Sequence, residues 1–170
     1  KESNTIGIMV EDITAFQTPG IINGINNYVE KRGYAVILNN MSLLEKTGNH
    51  YSELSSYQSA ISKSIKLFNK TQIDGLVYVA MHDRDVMELI PKLSIPIVLV
   101  YCYDTSKKNY YVTYDNMDVI ADVAEYLVKH GHEKIGVIKG AEDSLPSQKR
   151  LRSFITQLEK AGKELKEEYI

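Results

Sequence analysis

The chain predicts a doubly wound, mostly parallel α/β fold, and three observations predict it. Short apolar, β-branched runs alternate with amphipathic helical patterns along nearly its whole length. The apolar runs are continuous rather than alternating, as expected of strands covered on both faces. Glycines and prolines fall where the pattern changes, at Pro19, Gly33, Gly131 and Gly162.

Taken in order, TIGIMV (5–10) is bounded by polar residues and reads as a buried strand. Pro19 suits the first turn of a helix over 19–32. Its Ile21, Ile22, Ile25, Tyr28 and Val29 keep helical spacing until Gly33 ends it. Residues 34–38 form the second strand. A polar loop around Gly48 leads into a helix over about 52–69, with the stripe Leu54, Tyr57, Ile61, Ile65 and Phe68. Asp74 and Gly75 turn into the third strand, LVYVA. A third helix is expected over 83–93, a fourth strand over 96–101 and a short fifth over 110–113. Asp115 opens an amphipathic helix that stops at Gly131, and an apolar sixth strand follows at 134–139. A last helix runs over about 146–161, with Gly162 after it. The lobe boundary is placed at 131–133. This gives an N-terminal lobe over 1–131 and the beginning of an incomplete second lobe over 132–170.

The 170 residues suffice for one domain or two small lobes, burying roughly 70% of the unfolded surface. A net charge of −2 argues against this segment itself gripping nucleic acid. The single cysteine, Cys102, excludes an intrachain disulfide and makes a reducing cytoplasm the simpler setting. It follows an apolar strand and reads as a packed residue rather than a reactive thiol. No apolar run reaches the roughly 20 residues that cross a bilayer. No signal peptide is visible.

Enzymatic and metal chemistry find little support. The first loop carries neither GxGxxG nor GxxxxGK[ST]. His130 and His132 stand two apart at a helix end and point differently, so no metal site is expected. His82, Asp83 and Asp85 lack a nucleophile at a recognisable elbow. No catalytic residue and no cofactor is assigned.

One stretch carries more information than the rest: DNMDVIADVAEYLVKHGHEKIGVIKG, residues 115–140. With TIGIMVEDI, the KRGY turn at 31–34, IDGLVYV at 73–79, SIPIVLV at 94–100, YDN at 114–116 and RLRSFITQLEKAG at 150–162, it resembles the lactose/galactose repressor family. The order and spacing of these pieces make the signal. The resemblance implies two doubly wound lobes with a small-molecule, sugar-like effector held between them. It also implies a homodimer and an N-terminal helix-turn-helix domain that binds operator DNA. No helix-turn-helix pattern precedes Thr5, and the chain stops after the first strand–helix unit of a second lobe, as a fragment would. The expected function is the effector-binding and dimerisation region of a cytoplasmic transcriptional regulator. The alternative is a solute-binding protein of the same fold, serving transport or chemotaxis. By the same resemblance, the first helix and residues 39–44 approach a two-fold partner, with Met41, Leu43 and Leu44 as apolar contacts.

Open parallel sheets bind ligands beyond the carboxyl ends of their strands. A polyol needs acceptors and donors for its hydroxyls and an aromatic platform for its ring. Asp115 is a candidate acceptor; it also reads as a helix cap, and the two roles are compatible. Arg150, in an RLxxF pattern where the family carries an effector-binding arginine, is weighed equally as a ligand contact and a solvated charge. Ser144 and Ser147 stand near the start of the same helix, where free N–H groups favour an anionic ligand. In the first loop Phe16, Gln17 and Thr18 fall where relatives contact effector, although DITAFQT departs from the family's DxxNPFF. Tyr101 replaces the first member of a common Asp-Arg pair. It either stacks on a ring or covers the sheet end.

Overall fold

The computed structural model describes residues 3–47, 54–106 and 108–170. The chain divides into two compact units, Lys1–Thr113 and Tyr114–Ile170.

The first unit is a five-stranded sheet, parallel throughout, with strands β1 (Thr5–Val10), β2 (Ala35–Asn40), β3 (Gly75–Val79), β4 (Ile97–Val100) and β5 (Tyr110–Val112). The spatial order β2-β1-β3-β4-β5 puts β1 near the centre, with Ile8 opposite Leu38 on one side and Val77 on the other. This is the predicted fold class. The order reverses beside β1, which places the carboxyl ends of β1 and β3 at the switch point.

Helices α1 (Thr18–Glu30), α2 (Leu43–Thr47) and α3 (Leu54–Thr71) complete the unit. Alternate residues of each strand point to opposite faces, and the two faces are filled differently. On one, Tyr57, Ile61, Ile65 and Phe68 of α3 close over Met9, Leu76, Tyr78 and Leu99, all buried. On the other, Ile21, Ile22 and Ile25 of α1 lie on Ile8, Val10 and Val79 but stay half-buried themselves. Gly7 sets the α3 spacing: a Cβ there would fall 2.6 Å from Ile73 Cδ1 and 3.0 Å from Phe68 Cε1. A side chain at position 7 would therefore force the Ile73 and Phe68 side chains to shift.

Two sequence expectations are corrected in this unit. The predicted helix over 83–93 is an irregular segment with a turn near its middle. Asp85 bridges to Tyr103, Val86 N donates to Tyr103 O at 2.9 Å, and the Asp85 carboxylate takes Met87 N at 3.0 Å, so non-helical partners claim the backbone. Pro91 then bars continuation. The apolar residues of 39–44 are not a free surface. Met41 and Leu43 are buried in their own unit, Leu43 in α2, and only Leu44 remains exposed. The helix expected over about 52–69 is α3, which continues to Thr71; residues 48–53, with the loop around Gly48, and the side chain of Leu54 lie outside the described residues.

The second unit holds α4 (Asp118–Lys129), α5 (Leu145–Lys160) and a 3₁₀ turn at Glu167–Tyr169. Ala124, Phe154 and Leu158 form its small core, with Ile120, Leu127, Val128, Ile135, Val137 and Leu165 packed around them. That core joins α4 to α5, so α4 lies with the second compact unit, whereas the sequence boundary at 131–133 separates the two helices. The predicted sixth strand is another correction. Residues 134–139 pair with no strand among the described residues. Val137 N instead donates to Tyr169 O at 2.8 Å, and a lone strand cannot satisfy its backbone. The exposed apolar surface expected of an isolated strand–helix unit is present: Ile138 is fully exposed, and Ile135 and Val137 only half-buried.

Candidate functional site

The carboxyl ends of β1, β3 and β4 come to one edge of the first unit. Backbone bonds knit that edge together: Glu11 N to Val79 O at 3.0 Å, Ala80 N to Val100 O at 2.9 Å, and Tyr101 N to Val112 O at 2.9 Å. Four sequence-predicted residues stand on these ends. Phe16 is 99% exposed, so its ring is free to meet a ligand and contributes nothing to the core. Gln17 directs its side-chain amide to Met81 O at 3.3 Å, linking the loop after β1 to the end of β3. Thr18 is buried at the start of α1, so any contact it makes is limited to a small part of its surface. Tyr101 is half-buried and held at φ +62°. Such a backbone is uncommon for a bulky residue and is tolerated where the surroundings fix it.

Below these residues lies a buried charge network that the sequence reading missed. Glu11 is wholly buried and receives three donors: the Tyr78 hydroxyl, the Arg84 guanidinium and Met81 N at 2.8 Å. The Arg84 guanidinium lies 3.9 Å from the centroid of the Tyr57 ring in α3. Burial alone would lower the Arg84 pKa; Glu11, together with Tyr78 and Tyr57, outweighs it and raises the pKa. Burial, reinforced by Glu11, pushes the Tyr78 phenol well up, so it remains a donor. Cys102 is fully buried nearby, and burial pushes its thiol well above the ordinary value, which suits the packed role expected of it. One clue was readable: a tyrosine in the middle of an apolar strand must find a partner for its hydroxyl.

Asp12, beside Glu11, organises the loop itself. Its carboxylate takes Thr14 N at 2.9 Å, Thr14 Oγ1 at 2.6 Å and Leu44 N at 3.0 Å. Burial alone would raise its pKa; these hydrogen bonds outweigh that and hold it below the usual value.

The other four predicted residues belong to the second unit. Asp115 takes Met117 N at 2.9 Å and Asp118 N at 3.0 Å, which is the capping role read from the sequence. The amides of Asp118 and Met117 hold its carboxyl below the usual range. The Asp115 charge in turn raises Asp118. Ser144 caps α5 by accepting Ser147 N at 3.4 Å, and Ser147 Oγ accepts Gly140 N at 2.9 Å. Both serines therefore already have backbone partners. A Cβ on Gly140 would sit 3.1 Å from Ser147 Oγ, so the close approach favours glycine.

Arg150, one turn further along α5, donates from Nε to Asn116 Oδ1 at 2.7 Å, and its guanidinium lies 5.5 Å from the centroid of the Tyr114 ring. Asn116 is buried, and Ser153 Oγ donates to Met117 O at 2.6 Å. These bonds tie α5 to the start of α4 and orient the arginine. Ser144, Ser147 and Arg150 also line a cavity of about 460 Å³ with Ile120, Val137 and Phe154. Asp115 and Arg150, placed on opposite sides of the sequence boundary, thus lie in one compact unit. Asn116 and Tyr114 are the partners that sequence spacing did not identify.

No group of three or more metal-ligating side chains occurs among the described residues. No helix among them is long and apolar enough to cross a membrane. The similarities to known proteins agree with this geometry. The chain is 24% identical over 179 residues to the HTH-type transcriptional repressor PurR of Pasteurella multocida, covering 99% of this chain and 47% of that protein. It is 22% identical over 172 residues to catabolite control protein A of Priestia megaterium, covering 100% of this chain and 48% of the relative. The chain thus spans about half the length of these curated relatives. A solved structure of a sugar-binding transcriptional regulator of the LacI family from Escherichia coli, complexed with phosphate, superposes with a TM-score of 0.72. At 17% identity, over 100% of this chain and 58% of that one, this likeness speaks for the fold. Residues 10–170 match the family model of periplasmic binding proteins and the sugar binding domain of the LacI family, and the chain belongs to that family.

Proposed function

We propose that this chain is the effector-binding and dimerising region of a LacI-type transcriptional regulator that senses a sugar or sugar derivative. The observation that carries the reading is Arg150. It is an exposed residue, oriented by a neutral amide rather than by a carboxylate, and set beside an aromatic ring on the wall of a cavity. A guanidinium so oriented, with no carboxylate partner among the described residues, suits an electronegative oxygen of a hydroxylated or phosphorylated ligand. Two sets of residues carry recognition. Asp115, Ser144, Ser147 and Arg150 serve in the second unit; Phe16, Gln17, Thr18 and Tyr101 serve at the strand ends of the first. The lobe assignment of α4 follows its packing on α5.

Effector binding favours one conformation and shifts its population. A homodimer, working in the cytoplasm, passes that shift to a DNA-binding segment elsewhere in the protein. The matched relatives are named as repressors and regulators, which supports this reading over a catalytic one.

The test is a thermal-shift panel of monosaccharides and sugar phosphates on the intact protein, followed by calorimetric titration of whichever stabilises it. Arg150→Ala is expected to weaken that ligand about ten- to a hundred-fold, the effect of losing one charge-assisted bond. Asp115→Ala is expected to weaken it too. Unchanged affinity in both variants would leave Asp115 as a cap and Arg150 as a surface charge, and would overturn the assignment.

A further inference from the structure

We propose that Glu11 and Arg84 are positioning residues, a buried pair that fixes the end of β3 and, through Met81, holds Gln17 and the loop before α1 in place. The proposal rests on the reading that residues 16–18 meet the effector. Neither member of the pair touches that ligand.

The geometry is a relay. The Glu11 carboxylate takes Met81 N at 2.8 Å, and the carbonyl of the same residue takes the Gln17 amide at 3.3 Å. Met81 is thus held on one side by the buried acid and grips the first loop on the other. Glu11 is anchored through its backbone as well, since Leu43 N donates to its carbonyl at 2.8 Å. Arg84 extends the tie. Its guanidinium bonds Glu11 and stacks on Tyr57 of α3, while its carbonyl accepts Tyr103 N at 3.0 Å. One ion pair therefore links the segments that follow β1, β3 and β4 to α3.

Stability alone does not account for it. Removing two charges from water costs several kcal/mol per ion, and well-packed apolar substitutes of similar volume are commonly as stable or more so. What the pair supplies and apolar side chains lack is direction: a carboxylate that specifies where the Met81 amide must lie. Both oxygens of Glu11 are engaged, which leaves the carboxylate few alternative orientations, while Arg84 Nε and Nη1 find no hydrogen-bond partner among the described residues.

The experiment replaces the pair by apolar residues, Glu11→Leu with Arg84→Met, in the intact protein without effector. Thermal unfolding and residue-resolved amide hydrogen exchange are the readouts. The expected result is a melting temperature equal to or above that of the parent. Exchange should be about tenfold faster at Met81 and across 12–18, with β1 and β3 as protected as before. Parental exchange at Met81 and 12–18 would overturn the proposal. So would uniform acceleration everywhere, which marks a purely structural role. Should the double variant fail to fold, Glu11→Gln keeps the volume and removes the charge, and the same patterns decide. Because exchange is read without effector, its failure leaves the assignment of residues 16–18 standing. That assignment fails separately, if Gln17→Ala binds the stabilising sugar from the thermal-shift panel as tightly as the parent does.

Discussion

Arg84 and Arg150 make an instructive pair. Each has an aromatic ring near its guanidinium, and each donates to an oxygen of its own unit. They differ in what that oxygen carries. Arg84 meets the full charge of Glu11 with both groups buried, so the protein has already spent its attraction internally. Arg150 meets the neutral amide of Asn116 and keeps its charge. The first arrangement fixes a shape; the second leaves a charge that the proposed effector site would use. An arginine is thus read as structural or sensory from its partner's charge and burial, not from its position in a motif.

The sharpest way to break this contrast is to remove one member of the buried pair. Arg84→Ala leaves Glu11 buried and uncompensated, and should destabilise the protein by about 3–5 kcal/mol, read by denaturant unfolding. A loss below about 1 kcal/mol would mean that water reaches Glu11 freely and that the network is not a dry one. Next comes Arg150→Ala. It removes one hydrogen bond at a half-open site and should cost only about 1 kcal/mol of stability. A loss as large as that of Arg84→Ala would make Arg150 a structural residue as well, and the comparison would collapse.

The smallest effect concerns Asp12, whose carboxylate braces the loop without an arginine. Its folded pKa is held below the ordinary 3.8. The stabilisation it gives is therefore present above pH 3.8 and lost as the pH falls through the lower folded value. Asp12→Asn should be less stable than the parent near pH 7, and the difference should shrink in that acid range. A gap that stays constant down to strongly acidic pH would show that hydrogen-bond shape, not charge, is what Asp12 contributes.

Much of the fold was legible because burial on both faces leaves an unbroken apolar run, as in residues 5–10 and 75–79. Where the reading failed, long-range partners had decided. Residues 83–93 have helical composition, but the bridge to Tyr103 and the Asp85 side chain hold their backbone elsewhere. Residues 134–139 have strand composition and no strand beside them among the described residues. Propensity cannot report either situation, since both depend on what lies across the gap. The candidate site divides in the same way. Asp115 was visible as a cap because capping is local in sequence. Glu11 and Arg84 were invisible as a pair because they lie 73 positions apart and meet only once the sheet is built.

The buried sulfur has a practical consequence. The chain contains one cysteine, and Cys102 lies within the α3-side core with its thiol held protonated by burial. Within these 170 residues an alkylating reagent has no other sulfhydryl to find, and it cannot reach this one while the core is shut. The rate at which the protein is labelled is therefore a clock for core opening. Slowing of that clock by an added sugar would register ligand capture through the scaffold, with no dye, tag or engineered reporter.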